Sequence, residues 1–204
     1  MHSRFSGRLF VFCISAALML FACAPPRPAS EPAENEVKPV EKREAEIKTI
    51  QSFELNGAMA ARNPKKSWTA SVNWLQTGPT NYQIRLFGPL GSGTVLIKRS
   101  GGVVSLQDGP KRVTSKDAEQ LLLQETGVRL PVPNLFYWVR ALPAPGGSPK
   151  IERDRYNHIS VLRQDGYTVQ YLKYTSTPKG DLPSSIRLEG RNIKVKLIVK
   201  RWKV

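Results

Sequence analysis

Between residues 53 and 199 apolar side chains recur at every second position, a period of two rather than 3.6. Phe53, Leu55 and Met59 begin the series; Trp68, Ala70, Val72 and Trp74 follow, then Tyr82, Ile84 and Leu86. The alternation returns at Val95 and Ile97, Val104 and Leu106, Ile159 and Val161, Tyr167, Val169 and Tyr171, and Ile193, Val195, Leu197 and Val199. Successive side chains of a strand point to opposite faces, so each stretch predicts a strand with one dry and one wet face. Turn chemistry separates the stretches at Gln76-Thr77-Gly78-Pro79, Gln107-Asp108-Gly109-Pro110 and Gln164-Asp165-Gly166. Short strands joined by tight turns predict an antiparallel sheet.

Two segments switch to helical spacing. Thr114 or Ser115 can cap a helix running to about Glu125, with Ala118, Leu121 and Leu122 on one side and Gly127 as its stop. A second is expected from Asn134 to about Leu142, entered through Pro131 and Pro133, with Leu135, Trp138, Val139 and Leu142 as its apolar stripe. Both faces need burial, and the apolar side of a curved sheet is the economical place. The fold class is therefore mainly β (α+β).

Catalytic signals are weak. Apart from His2 the only histidine is His158, beside a strand, and it reads as a surface residue. The spacings HExxH, GxSxG and the P-loop do not occur. Asp117 and Glu119 are two apart and face different sides of a helix. Both cysteines, Cys13 and Cys23, lie at the amino end, which excludes a disulfide framework or a cysteine-ligated metal in the body. The expectation is a protein that binds rather than catalyses. Residues 51–204 carry 24 lysines and arginines against 10 aspartates and glutamates. Part of that excess solvates strand faces. The rest should attract polyanions: nucleic acid, anionic headgroups or an acidic protein.

Arg4 and Arg8 precede the uncharged run Leu9–Ala22, shorter than the ~20 residues that span a bilayer. Residues 1–22 read as a secretory leader, which makes nucleic acid an improbable partner. Leu20-Phe21-Ala22-Cys23 resembles the bacterial lipobox, in which cleavage leaves the cysteine first, a diacylglyceryl group joins its thiol and an acyl chain its amine. A buried-helix cysteine or an ordinary signal-peptide cysteine is the alternative. Ala24, where an aspartate resembles an inner-membrane retention signal, leans towards the outer membrane. Residues 23–49 hold too few large apolar side chains to offset ordering and are expected to be a tether, with room for a short helix near 40–48. The body then occupies 50–204.

One motif sets a leucine at the centre of a turn: Gly88-Pro89-Leu90-Gly91-Ser92-Gly93. Leu90 either folds back on Phe87 or protrudes as a hydrophobic finger. Four more motifs accompany it: Phe53-Glu54-Leu55-Asn56-Gly57, Leu130-Pro131-Val132-Pro133, Tyr137-Trp138-Val139-Arg140 and Leu142-Pro143-Ala144-Pro145-Gly146. In this order and behind a lipobox, they resemble the LolB family of outer-membrane lipoprotein receptors, from about Phe53 to the carboxyl end. Ala58 stands where that family commonly has arginine, and Ala141 where it commonly has glycine.

The resemblance implies an incomplete antiparallel β-barrel, with helices covering an apolar cavity that receives acyl chains. It implies a membrane-insertion loop of Gly88, Pro89, Leu90 and Gly91, and a lipid anchor on Cys23 at the periplasmic face of the outer membrane. The implied partners are a LolA-like periplasmic carrier, acylated lipoprotein cargo and outer-membrane lipid, met by a monomer. No cofactor is implied beyond the diacylglycerol and acyl chain on Cys23. Cavity lining is assigned to Leu55, Trp68, Val72, Trp74, Tyr82, Ile84, Leu86, Leu122 and Trp138, since the even-numbered residues of 68–86 are the more apolar set. The alternatives are a tethered acyl-lipid carrier with other cargo, or a structural envelope lipoprotein that binds through its basic face.

Overall fold

The computed structural model describes residues 36–89, 93–127 and 130–204. Cys23, Leu90 and Gly91 lie outside the described residues. A helix, α1 (Val40–Lys48), comes first. Six strands follow: β1 (Phe53–Arg62), β2 (Ser67–Thr77), β3 (Asn81–Phe87), β4 (Thr94–Ser100), β5 (Val103–Asp108) and β6 (Lys111–Ser115). After α2 (Ala118–Thr126) and α3 (Val132–Trp138) come β7 (Lys150–Arg153), β8 (Ile159–Gln164), β9 (Tyr167–Thr177), β10 (Gly180–Gly190) and β11 (Ile193–Lys203).

The strands form one antiparallel sheet in the order β6-β5-β4-β3-β2-β1-β11-β10-β9-β8-β7. All neighbours are consecutive in the chain except β1 and β11, which join the two halves with Glu54 opposite Lys203. The edges are therefore β6 and β7, and the sheet is not closed into a barrel. The connection between them must cross from one edge to the other, and it carries α2 and α3 over the concave face. Both edge strands are short and charged, Lys111-Arg112 in one and Lys150, Glu152 and Arg153 in the other, which discourages pairing with a second sheet.

The alternating stretches all become strands. Three further strands carry weaker signals: β6 and β7 hold few apolar residues, and β10 contains Pro183, which lacks an amide donor. The β9–β10 register shifts on either side of Ser185, and this bulge accommodates the proline. Trp202 Nε1 donates to the Pro183 carbonyl at 2.9 Å. Between β1 and β11 the register slips at Asn56/Gly57, skipping Lys200, so that Val199 and Trp202, three apart, both face inward. The strands approach so closely there that a Cβ on Gly57 would stand 2.2 Å from the Ile198 carbonyl oxygen.

Three expected boundaries move. Helix α3 runs Val132–Trp138 rather than Asn134 to about Leu142: it takes Pro133 into its first turn, and the left-handed Ala141 (φ 57°) keeps the helix from reaching Leu142. The cap of α2 is Asp117, whose carboxylate accepts from the Gln120 amide at 3.0 Å, because Thr114 and Ser115 are occupied in β6. Residues 40–48, expected within the tether, form α1 and pack on β10. Ile47 is buried there, and Arg43 donates to Asp181 Oδ2 at 2.6 Å. The folded unit thus includes α1, ahead of the expected start at residue 50.

Candidate ligand cavity

The strands run between two poles. One gathers α1 and the turns 78–80, 101–102, 154–158 and 178–179; the other gathers the turns 63–66, 109–110, 165–166 and 191–192 and the strand ends at Gly88 and Gly93.

At the α1 pole the inner positions are filled. The Phe53 ring lies 5.5 Å from Trp74, 5.3 Å from Trp202 and 6.4 Å from Phe136. Beneath them Arg140 is buried, its guanidinium 3.7 Å from the Phe136 ring. It donates to the Phe136 carbonyl at 2.8 Å and the Ile50 carbonyl at 2.5 Å. Burial pulls its pKa down to about 10, so it stays charged at neutral pH.

Towards the other pole most inner side chains are smaller, Trp68 excepted: Met59 and Ala61 on β1, Ala70 and Val72 on β2, Val95 on β4 and Val195 on β11. A cavity of about 460 Å³ opens among them, roofed by Leu122, Leu130, Leu135 and Trp138. Its lining is almost wholly apolar, with Thr69 and Asp108 among the exceptions, and Gly88 and Gly93 lie along it. This lies within the ~300–1,000 Å³ typical of ligand pockets.

Of the expected lining residues Trp68, Val72, Trp74, Ile84, Leu86, Leu122 and Trp138 border this space. Leu55 and Tyr82 do not. They face inward but stand towards the α1 pole, where close packing buries both. In the expected insertion loop Gly88 reaches the cavity and Pro89 is exposed. Phe87 is 39% exposed and points outward from β3. Ile186 and Leu188 also line the space and escaped notice, because the proline of β10 hid a strand.

The two roof helices are held differently. Trp138 Nε1 donates to Gln164 Oε1 at 3.0 Å, and Tyr171 donates to the Trp138 carbonyl at 2.8 Å, which fixes α3 to β8 and β9. Helix α2 buries Ala118 and Leu121 and forms the ion pair Glu125–Lys111 with β6.

His158, expected at the surface, is only 5% exposed. Its Nδ1 lies 3.1 Å from Asp154, its Nε2 3.0 Å from Asp181, and its ring stacks on Tyr174. The hydrogen bond from His158, with others from Ser176 and Arg43, holds the Asp181 carboxyl far below the usual carboxylate range. This cluster sits at the α1 pole, away from the cavity, and its work is to fasten α1. At the cavity pole the turn after β1 brings Arg62, Lys65 and Lys66 together, and Arg112 stands on β6 beside the next turn but one.

A family model described as outer membrane lipoprotein LolB matches residues 51–202. The outer-membrane lipoprotein LolB of Pseudomonas putida is 38% identical over 159 residues, 78% of this chain and 77% of that protein. That of Coxiella burnetii is 34% identical over 158 residues, 77% and 74% of the two chains. A DUF1329 family protein from Desulfovibrio piger shares the fold, with a TM-score of 0.50 at 6% identity over 80% of this chain and 90% of that one. Matched across most of its length, the chain belongs to the LolB family of outer-membrane lipoproteins.

Proposed function

We propose that this protein accepts acylated lipoproteins from a periplasmic carrier into its cavity and passes their acyl chains to the outer membrane. The observation that carries the reading is the hollow of about 460 Å³, apolar almost throughout and set at one pole of an open sheet. Each acyl CH₂ exposed to water costs about 0.8 kcal/mol, so cargo crossing between membranes needs such shelter. The sequence holds no nucleotide-binding motif, and transfer is therefore downhill: the cavity holds acyl chains more tightly than the carrier, and the bilayer more tightly still. Arg62, Lys65, Lys66 and Arg112 near the opening would draw an acidic donor or anionic headgroups by long-range attraction. Acyl chains on Cys23 would hold the protein at the membrane, and Leu90 would enter lipid first.

The test mixes the domain lacking its anchor with acylated cargo on its carrier; stoichiometric transfer is expected. Uptake of free lipid without cargo transfer would favour a lipid carrier, and uptake of neither a structural role, which the cavity already argues against. Ala70→Trp, which fills the hollow, should cut acceptance at least tenfold while leaving the fold intact. Leu90→Glu should spare acceptance and impair delivery; equal loss of both steps would refute that division.

A further inference from the structure

The cavity lies towards one pole, where Gly88, Gly93 and Asp108 line it, and the chain leaves towards residue 23 from the other. Residues 36–39 are strapped to the α1 pole: Arg43 donates to the Glu36 carbonyl at 3.4 Å, and Asn157 to the Lys38 carbonyl at 2.9 Å. The Lys38–Glu46 pair at 3.3 Å adds a third tie. From 23 to 36 there are thirteen peptide steps, which span at most about 45 Å whatever their conformation. Strands β10 and β11 are 11 residues long, about 36 Å along the strand and about 28 Å along the axis of a sheet tilted like a barrel. The opening can therefore face the anchoring bilayer only when this segment is drawn out alongside the body.

We propose that the anchored domain receives cargo with its opening turned away from the bilayer and delivers it after turning over, and that the length of residues 24–35 permits the turn. This rests on the function proposed above and on lipidation of Cys23. Deleting residues 26–35 leaves three steps, about 10 Å.

The experiment uses full-length lipidated protein in phospholipid vesicles, given carrier-bound acylated cargo. The deletion should leave acceptance unchanged and slow delivery into the vesicle at least tenfold, and ten glycines and serines in place of 26–35 should restore it. Delivery at full rate by the shortened chain overturns the inference, showing that the domain delivers from its side, and leaves the proposed function standing. Failure of the spacer to restore delivery also overturns it, since length would then not be what matters. If the unshortened chain takes no cargo, the proposed function itself fails. The body lacks cysteine, so dyes on Lys66→Cys and Lys179→Cys report which pole lies nearer lipid. At rest the label at 179 should be quenched more strongly by headgroup quenchers; the reverse overturns the resting orientation.

Discussion

At the α1 pole Phe53, Trp74, Phe136 and Trp202 meet ring to ring, whereas further along the same strands the inward positions are held by Ala61, Ala70 and Val195. The alternation of apolar residues runs through both ends with the same period, so it does not tell them apart. They differ in bulk. A hollow needs no motif of its own: it forms where side-chain size falls along strands whose spacing is held by backbone hydrogen bonds.

Removing one side chain at each end should have very unequal effects. Phe53→Ala should cost about 3–5 kcal/mol, because it leaves a void in a packed region. Val195→Ala should cost under about 1 kcal/mol, because the lost methyls border space already empty. Denaturant melts of the two variants check this, and equal losses would erase the contrast between filled and hollow poles.

A second test sharpens the role of the filled end as the attachment for α1. Asp181→Asn should cost about 2 kcal/mol, less than a wholly buried pair because solvent still reaches the group. The folded Asp181 has a depressed pKa, so its contribution is fully present above the ordinary carboxylate value of about 4 and fades as pH falls below it. The gap between the parent and Asp181→Asn should therefore narrow in melts below about pH 4. The smallest effect concerns Ala141, which holds a φ of 57° just beyond α3. Ala141→Gly should relieve that left-handed backbone and add up to about 1 kcal/mol. A rise of about 2–4 °C in the melting temperature would register it.

The face that lines the hollow was legible in the alternation: Trp68, Val72, Trp74, Ile84 and Leu86 needed only the parity of a strand. Depth along the strand was not legible, since parity says which side a residue faces and nothing about what fills the space beyond it. Leu55 and Tyr82 show this, facing the right way at the wrong end. Helix α2 was read from its periodicity, but its cap was misplaced because Thr114 and Asp117 are both competent and only pairing with β5 decides between them. His158 escaped because both carboxylates beside it face it only after folding: Asp154 lies across a turn, and Asp181 lies at the start of β10, the strand masked by Pro183.

The unjoined margins of the sheet have a consequence for capacity. A sealed cylinder has a girth dictated by its ladders and can swell only by breaking them. Here β6 and β7 are unpaired edges, linked only by the connection that carries the two helices, and α3 is bolted by side chains to β8 and β9. Parting those edges stretches no rung of the backbone ladder. The hollow can therefore widen in one direction at no cost to the sheet.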